Sequence, residues 1–338
     1  MRAIGFNSCK PVTETDALVD FELPAPEAKG RDILVEVKAV SVNPVDTKVR
    51  RNQSPESGQT RILGFDAAGI VKAVGDKVSL FKPGDEVFYA GAINRPGTNS
   101  EFHLVDERIV GTKPSSLSFE EAAALPLTAI TAYEALFDRL KVKDKVPGGG
   151  DAIVIIGGAG GVGSIAIQLA RHLTDLTVIA TASRAETKEW VRQLGAHHVL
   201  DHSKPLASQV EALGIGAPSF VFSTTHSDVH RADSVELIAP QGRYCLIDDP
   251  EDGFDIMPFK RKAISVHWEM MFTRPVFETV DILEQHNLLN HVSDLIDQGK
   301  IKTTLTDVCG KINAANLIKA HALIESGTAK GKIVLSGF

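Results

Sequence analysis

The chain has 338 residues, of which 43% are hydrophobic and 23% charged, and carries a net charge of −7. That length is enough for two domains with separate cores, and the composition is that of an ordinary globular enzyme. The acidic balance excludes nucleic acid and anionic membrane surfaces as partners, because both demand clustered Lys and Arg; Arg50-Arg51 is the nearest approach to a basic run.

The three cysteines, Cys9, Cys245 and Cys309, are far apart and odd in number. They argue against a disulfide framework and against a Cys-rich zinc lobe, and they fit a reducing cytoplasm. The opening MRAIGFNSCKPV lacks the apolar core of a signal peptide, so the expected location is cytoplasmic. One stretch, AIVIIGGAGGVGSIAIQLA, has the hydropathy of a membrane span, but its dense glycines and polar flanks read as a buried strand, a turn and a helix.

The first ~120 residues read as β-rich. ILVEVKAVSV alternates, with Ile33, Val35, Val37 and Ala39 on one face and Glu36 and Lys38 on the other. ILGFDAAGIV places one carboxylate, Asp66, in an otherwise apolar stretch, an expensive position unless something holds it. AGIVKAVGDKV is a strand ended by a turn at Gly75-Asp76; Pro83-Gly84 makes a second turn before another short strand, and EFHLVD is a third. Short strands between turns suggest a small barrel or folded sheet.

At Ser118 the pattern changes. Ser118 and Glu121 form a capping box, and the helical EEAAALPLTAITAYEALFDRL should break or kink at Pro126. Beyond the linker KVPGGG, strands alternate with helices. AIVII is continuously apolar, as a strand buried on both faces must be, and GSIAIQLARHL is a helix. LTVIATA is the next strand; Ser183 and Glu186 suggest a capping box for a helix that puts Trp190, Val191 and Leu194 on one side and ends at Gly195. HHVLD, SFVFST, GRYCLID and AISVHWEMM complete about six strands, the pattern of a doubly wound parallel sheet. Residues 275–299 read as helical and KIVLSG as a final strand.

GGAGGVG contains Gly158, Gly160 and Gly163 in the G-x-G-x-x-G spacing, directly between strand and helix. In that context the motif predicts a dinucleotide turn, with the pyrophosphate at the helix N-terminus. The end of the second strand selects the cofactor. Thr181, Ala182, Ser183 and Arg184 stand where an NAD site usually carries an acid, and Lys188 follows one turn later. Hydroxyl and cations there suit a 2′-phosphate, hence NADPH.

Two histidine pairs have metal-like spacing, His198/His202 and His226/His230. His198 lies on a predicted strand, where an i+4 spacing does not converge, so both pairs read as surface histidines. The acidic run DDPEDGFD fails a calcium-loop pattern, since Pro250 and Phe259 fall where oxygen ligands are needed, and reads as a solvated loop.

The β-rich start, NPVD, LGFDAAGIV, the central AGGVG turn and the closing GKIVL together resemble the medium-chain dehydrogenase/reductase superfamily over essentially the whole chain. AALPLTAITAYEAL and GGAGGVG resemble its quinone-oxidoreductase branch; SVHWEMMFTR resembles the subgroup described as zinc-type alcohol dehydrogenase-like. The resemblance implies an α/β fold. Residues 1–124 and 273–338 would form a GroES-like catalytic domain and residues 125–272 a Rossmann NADP-binding domain, with the active site in the cleft between them. In zinc-dependent members a Cys ligand lies three positions before the Asp of the first motif and a His ligand follows the Gly of the second. Here those places hold Asn43 (before Asp46) and Phe65, and no Cys occurs between Cys9 and Cys245. Zinc is therefore not expected, because phenylalanine has no donor atom.

Without a Lewis acid, a quinone or α,β-unsaturated carbonyl is the expected substrate, since hydride addition spreads charge onto an enolate or quinol oxygen that hydrogen bonds can stabilise. Asn43 is the candidate for holding the substrate carbonyl or, alternatively, for capping the turn before Pro44. Asp46 would bridge to the cofactor or anchor the loop; Asp66 would accept backbone or Arg hydrogen bonds. Tyr89 or water would donate the proton, and Phe65, Trp268 and Phe272 would form an aromatic wall. The resemblance further implies that Thr128, Gly160, Gly161, Val162, Ser183, Arg184, His202, Leu246 and Lys332 line the NADPH groove, and that the protein is a homodimer through edge strands around residues 263–271. The alternatives are a zinc-type alcohol dehydrogenase and a non-catalytic NADPH-binding sensor.

Overall fold

The computed structural model describes residues 1–251 and 253–338; Asp252, in the acidic run, lies outside the described residues. The chain divides into two compact units, residues 1–130 with 272–338, and residues 131–271. The expected breaks at 124/125 and 272/273 compare with these at 130/131 and 271/272.

The first unit opens with β1 (Arg2–Phe6), β2 (Val19–Glu22) and the long β3 (Asp32–Val42). Along β3 burial alternates as the apolar pattern requires, with Ile33, Val35, Val37 and Ala39 inside and Glu36 and Lys38 paired at 2.6 Å on the other face. Helix α1 (Pro44–Asn52) follows immediately, its Pro at the first turn where no N–H is missed. β4 (Arg61–Ile62) and β2 flank β1 in a small antiparallel sheet. β5 (Ala67–Val74), β6 (Glu86–Tyr89), β7 (Phe102–Asp106) and β8 (Val110–Thr112) build outward from β3. The Ser118 capping box forms as expected, with Ser118 Oγ accepting from Glu121 N–H at 3.2 Å and Glu121 Oε2 accepting from Ser118 N–H at 2.9 Å. The helical stretch breaks at Pro126, so α2 spans Phe119–Ala123 and α3 Pro126–Tyr133, and a π-helical turn, Glu134–Arg139, continues from α3.

The second unit is wound around β9 (Gly150–Ile156), α4 (Gly161–Leu173), β10 (Thr177–Thr181), α5 (Ala185–Gln193), β11 (His198–Leu200), α6 (Leu206–Glu211), β12 (Pro218–Ser223), α7 (Arg231–Leu237), β13 (Arg243–Leu246) and β14 (Ser265–Trp268). All six strands run parallel in the order β11-β10-β9-β12-β13-β14, so the order reverses between β9 and β12. That reversal opens a crevice at the carboxyl ends of the strands, where doubly wound sheets bind ligands. Val154, Ile156, Ile179, Val221, Tyr244 and Phe259 pack in its core. One local expectation fails. Ser183 does not cap α5, whose N-cap is Arg184 with no side-chain cap bond, and Thr187 Oγ1 donates back to Arg184 O instead.

The chain then returns to the first unit through α8 (Thr273–Phe277), α9 (Glu284–Asp297), β15 (Leu305–Val308), α10 (Ala314–Glu325) and β16 (Lys332–Ser336). The helix expected over 275–299 is two helices, because Glu278 turns left-handed (φ 42°) and Arg274 reaches across the loop to Asp281 at 2.9 Å. β16 lies antiparallel to β3, which brings residue 332 back beside the start of α1. Among the described residues no helix is long and apolar enough to cross a membrane.

Candidate active site and cofactor turn

In the second unit, β9 runs into the glycine turn. Gly157 adopts φ +78° and its N–H donates to Thr181 Oγ1 at 3.1 Å; Gly158 N–H donates to Thr181 O at 3.1 Å. Helix α4 starts at Gly161 with Gly160 as N-cap and no side-chain cap, so its first-turn N–H groups are left for an anion. The glycines serve different ends. A Cβ on Gly163 would stand 2.4 Å from Gly157 O, so that position is fixed by packing of helix against turn. A Cβ on Gly160 would meet only Gly157 O, at 3.5 Å, and its backbone (φ −71°) suits any residue. Among the described residues no contact demands glycine there, which leaves room for the close approach of a pyrophosphate. A dinucleotide therefore fits this turn, with Gly158, Gly161 and Val162 beside it.

At the end of β10 no carboxylate belongs to the strand. Ser183 is half-buried and Arg184 is exposed, 3.3 Å from Glu186. Lys188 is directed elsewhere, onto Asp201 at 2.9 Å. Hydrogen bonds from Ser203 and the Lys188 ammonium hold the Asp201 carboxyl well below the usual range. His202 Nδ1 meets Thr181 Oγ1 at 3.1 Å. The histidines pair differently from their spacing: the rings of His202 and His230 lie 6.1 Å apart, and His230 is buried beneath α7 rather than on the surface. Burial pushes both imidazoles below their ordinary value. Leu246 offers no side chain to a groove, because it is packed wholly within the core at the end of β13.

The same unit holds a carboxylate pair with no local sequence signal. Glu269, just beyond β14, lies close enough to Glu134 in the π-helical turn for the two charges to repel, and its Oε2 receives Arg139 Nε at 2.8 Å. Burial, reinforced by the Glu134 charge and opposed by Arg139, pushes the Glu269 carboxyl up to about 9.

In the first unit, the first-motif Asn and Asp and the second-motif Asp converge on Lys332. Asn43 Nδ2 donates to Asp66 Oδ2 at 2.8 Å, and the Lys332 ammonium donates to Asp66 Oδ2 at 2.9 Å, to Val42 O at 3.2 Å and to Asn43 Oδ1. Asp66 Oδ1 accepts Leu127 N–H at 2.7 Å from the first turn of α3. Asp66 is thus held by a backbone donor as expected, with lysine in the place of the expected arginine. Burial pushes its carboxyl up, and Lys332, Asn43 and the Leu127 N–H pull it back. Asp46 anchors the loop: Oδ2 accepts Asn43 N–H at 2.8 Å and Oδ1 accepts Gly64 N–H at 3.0 Å, while burial pushes its carboxyl up to about 7.

Three expectations for this region need correction. Lys332 is 3% exposed and all three of its N–H groups are spent inside the cluster, so it has none for a phosphate. Tyr89 is wholly buried on β6, with its hydroxyl 3.2 Å from His103 Nδ1, and burial drives its ionisation far above the ordinary phenol value; it is a core residue and not a proton donor. Phe65 and Phe272 pack edge to face, with centroids 5.3 Å apart; Trp268 lies on β14 and is 54% exposed. Thr128 is buried, with its hydroxyl donated to Leu125 O at 3.0 Å.

The residues do not fit zinc. Phe65 has no donor atom, Asn43 Oδ1 is taken by an ammonium, and among the described residues no three His, Cys, Asp or Glu side chains are grouped to hold a metal.

Residues 29–130 match the family model for the alcohol dehydrogenase GroES-like domain, and residues 194–335 match that for zinc-binding dehydrogenase. A zinc-type alcohol dehydrogenase-like protein of Staphylococcus aureus (strain MSSA476) is 41% identical over 99% of this chain and 100% of its own. The chloroplastic NADPH-dependent alkenal/one oxidoreductase of Arabidopsis thaliana is 29% identical over 94% of this chain and 75% of its own. Among solved structures, a putative zinc-dependent alcohol dehydrogenase protein from Rhizobium etli CFN 42 is 66% identical, covers 100% of this chain and 98% of its own, and superposes with a TM-score of 0.98. With relatives this similar end to end, the chain belongs to the medium-chain dehydrogenase/reductase superfamily, among its zinc-type alcohol dehydrogenase-like proteins, and is an oxidoreductase.

Proposed function

We propose that the protein reduces α,β-unsaturated carbonyls or quinones with NADPH and without zinc. The observation that carries this reading is the donor set at the two motif positions. Asn43 is clamped by Lys332 and Asp66, and Phe65 packs on Phe272, so the family's metal-ligand places are filled by an amide, an internal ammonium and a ring. Without a Lewis acid, a saturated ketone or alcohol lacks the stabilisation its alkoxide needs. A conjugated acceptor delocalises the incoming charge and needs only a hydrogen bond at its oxygen.

Bound NADPH would supply the hydride. The chain's own contributions are binding and orientation. The N–H groups at the start of α4 would hold the pyrophosphate, and Arg184 with Ser183 would hold the 2′-phosphate. Asn43 directs an amide N–H to the substrate oxygen, and Phe65 with Phe272 supplies an apolar wall. Water delivers the proton, since Tyr89 is sealed in the core. The name of the Arabidopsis relative supports the enone half of the substrate class. The free edge of β14, with Trp268 and Met270 exposed, supports the homodimer.

The test is a substrate panel: NADPH or NADH oxidation with enones and quinones, beside NADP⁺ reduction with primary and secondary alcohols. Conjugated acceptors should turn over with NADPH preferred, and alcohols should not. Turnover of alcohols alone would replace this reading with an alcohol dehydrogenase; tight NADPH binding with no turnover on the whole panel would replace it with a sensor.

A further inference from the structure

We infer that Lys332 is a positioning residue whose ammonium, tied to Asp66, locks the Asn43 side-chain amide in one orientation and leaves a single Nδ2 hydrogen to meet a substrate oxygen. The inference rests on the reductase reading for its function, but not for its geometry.

The argument is an inventory of donors and acceptors. An ammonium only donates and an ionised carboxylate only accepts. Asn43 touches both: Oδ1 takes a hydrogen from Lys332 Nζ, and Nδ2 gives one to Asp66 Oδ2. Turning the amide over would set its NH2 against the ammonium and its oxygen against the carboxylate, two repulsions in a buried site where charge is weakly screened. The amide orientation, ordinarily a choice between near-equivalent alternatives, is fixed here by charge. The backbone end is fixed as well, through Asn43 N–H to Asp46 Oδ2 at 2.8 Å, with Asp46 itself pinned by Gly64 N–H. Among the described residues one Nδ2 hydrogen is not used within the cluster, and Asn43 itself is only 1% exposed.

Lys332 is delivered to this place by strand pairing. β16 runs antiparallel to β3, with Ile333 opposite Val42, so the residue before Ile333 reaches the end of β3 where Asn43 begins the turn into α1. Its three hydrogens are then exhausted by Val42 O, Asn43 Oδ1 and Asp66 Oδ2. Remove the ammonium and Asp66 is left with a buried charge that its remaining donors compensate only in part; it then tends to take a proton. A protonated Asp66 can donate to Asn43 Oδ1, and the amide loses its fixed sense.

The experiment compares Lys332→Met with the double variant Asp66→Asn/Lys332→Met in the full chain, since the single variant strands the buried Asp66 carboxylate and may not fold, whereas the double variant removes that carboxylate and leaves Asp46 on its own donors, the Asn43 and Gly64 N–H groups. Three readings are taken: the NADPH dissociation constant by fluorescence, steady-state kcat and KM with an enone, and the Asn43 side-chain NH2 signals by nitrogen-15 NMR, assigned by their loss in Asn43→Asp. Lys332→Met, and the double variant with it, should lower kcat on the order of tenfold, leave the NADPH dissociation constant within about twofold, and shift the signals of the two Asn43 Nδ2 hydrogens. A tenfold or larger loss of NADPH affinity with kcat intact would overturn the inference and make Lys332 a phosphate ligand. Unchanged Asn43 signals in the double variant would overturn the clamp itself. Failure of the reductase reading shows separately, as absence of turnover in the wild type, while the NMR comparison still decides the clamp.

Discussion

The Asp66 carboxylate lies 2.9 Å from the Lys332 ammonium, 266 positions later in the chain, and both side chains are almost completely buried. The pair joins the second sequence motif to the closing strand and carries Asn43 between them. A buried pair of this kind adds little net stability over an apolar replacement of both partners, but breaking it from one side is severe.

Asp66→Ala should therefore destabilise the first unit by about 3–5 kcal/mol, since it strands the Lys332 ammonium and takes the acceptor from Leu127 N–H. Urea unfolding followed by circular dichroism measures this. A loss under about 1 kcal/mol would mean the pair is solvated rather than buried.

The two glycines of the turn should separate packing from binding. Gly163→Ala places a methyl 2.4 Å from Gly157 O and should lower the melting temperature. Gly160→Ala meets only an ordinary 3.5 Å contact and should leave the melting temperature near wild type while weakening NADPH binding. Equal effects of both variants on melting, with NADPH affinity unmoved, would remove the dinucleotide from this turn.

The proposed preference for NADPH rests on Arg184, at the end of β10 where no strand carboxylate stands to accept a ribose hydroxyl. Arg184→Ala should weaken NADPH by roughly tenfold or more, the scale of a lost charge-assisted contact, and NADH little. Isothermal titration with both nucleotides checks this; parallel losses would show that Arg184 does not meet the phosphate.

Alkaline stability should report the Glu134–Glu269 pair. Glu269 titrates at about 9 in the folded chain and near 4.3 when unfolded, so between those values the folded state binds the extra proton and stability falls as pH rises. Asp46, at about 7, adds to that slope only below neutrality, and the buried His103 and His321, at about 4 and about 3, act only on the acid side. From pH 7 to 9 Glu269 contributes up to ~1.4 kcal/mol per pH unit to that decline, beside Asp66, whose buried carboxyl is also pushed up. Glu269→Gln should flatten it in thermal scans across that window; an unchanged slope would show that Glu269 is ionised throughout.

The parallel sheet was legible because its signals are local: continuous apolar runs for buried strands, a glycine turn between AIVII and GSIAIQLARHL, and a second strand ending without an acid. The capping box at Ser118 was legible for the same reason, while that at Ser183 failed because the helix began one residue later, at Arg184 as N-cap. Asn43, Asp46 and Asp66 could be singled out from the motifs they occupy, but their partner could not. Lys332 meets them only through the pairing of β16 with β3, and no spacing rule spans such a separation. Tyr89 misled because its burial is not legible locally: β6 is covered on both faces, with Val87, Phe88 and Tyr89 all buried, and Tyr89 stacks on His103 from a different strand.

The central claim is that hydride reaches a conjugated acceptor without a bound cation at Asn43 and Phe65. Turnover of NADPH with an enone, measured on one preparation before and after exhaustive chelation with its zinc content determined, tests it most directly. The account expects the same rate on both sides of the treatment and zinc well below one ion per chain. Stoichiometric zinc, lost together with the activity and restored with it, would contradict the account.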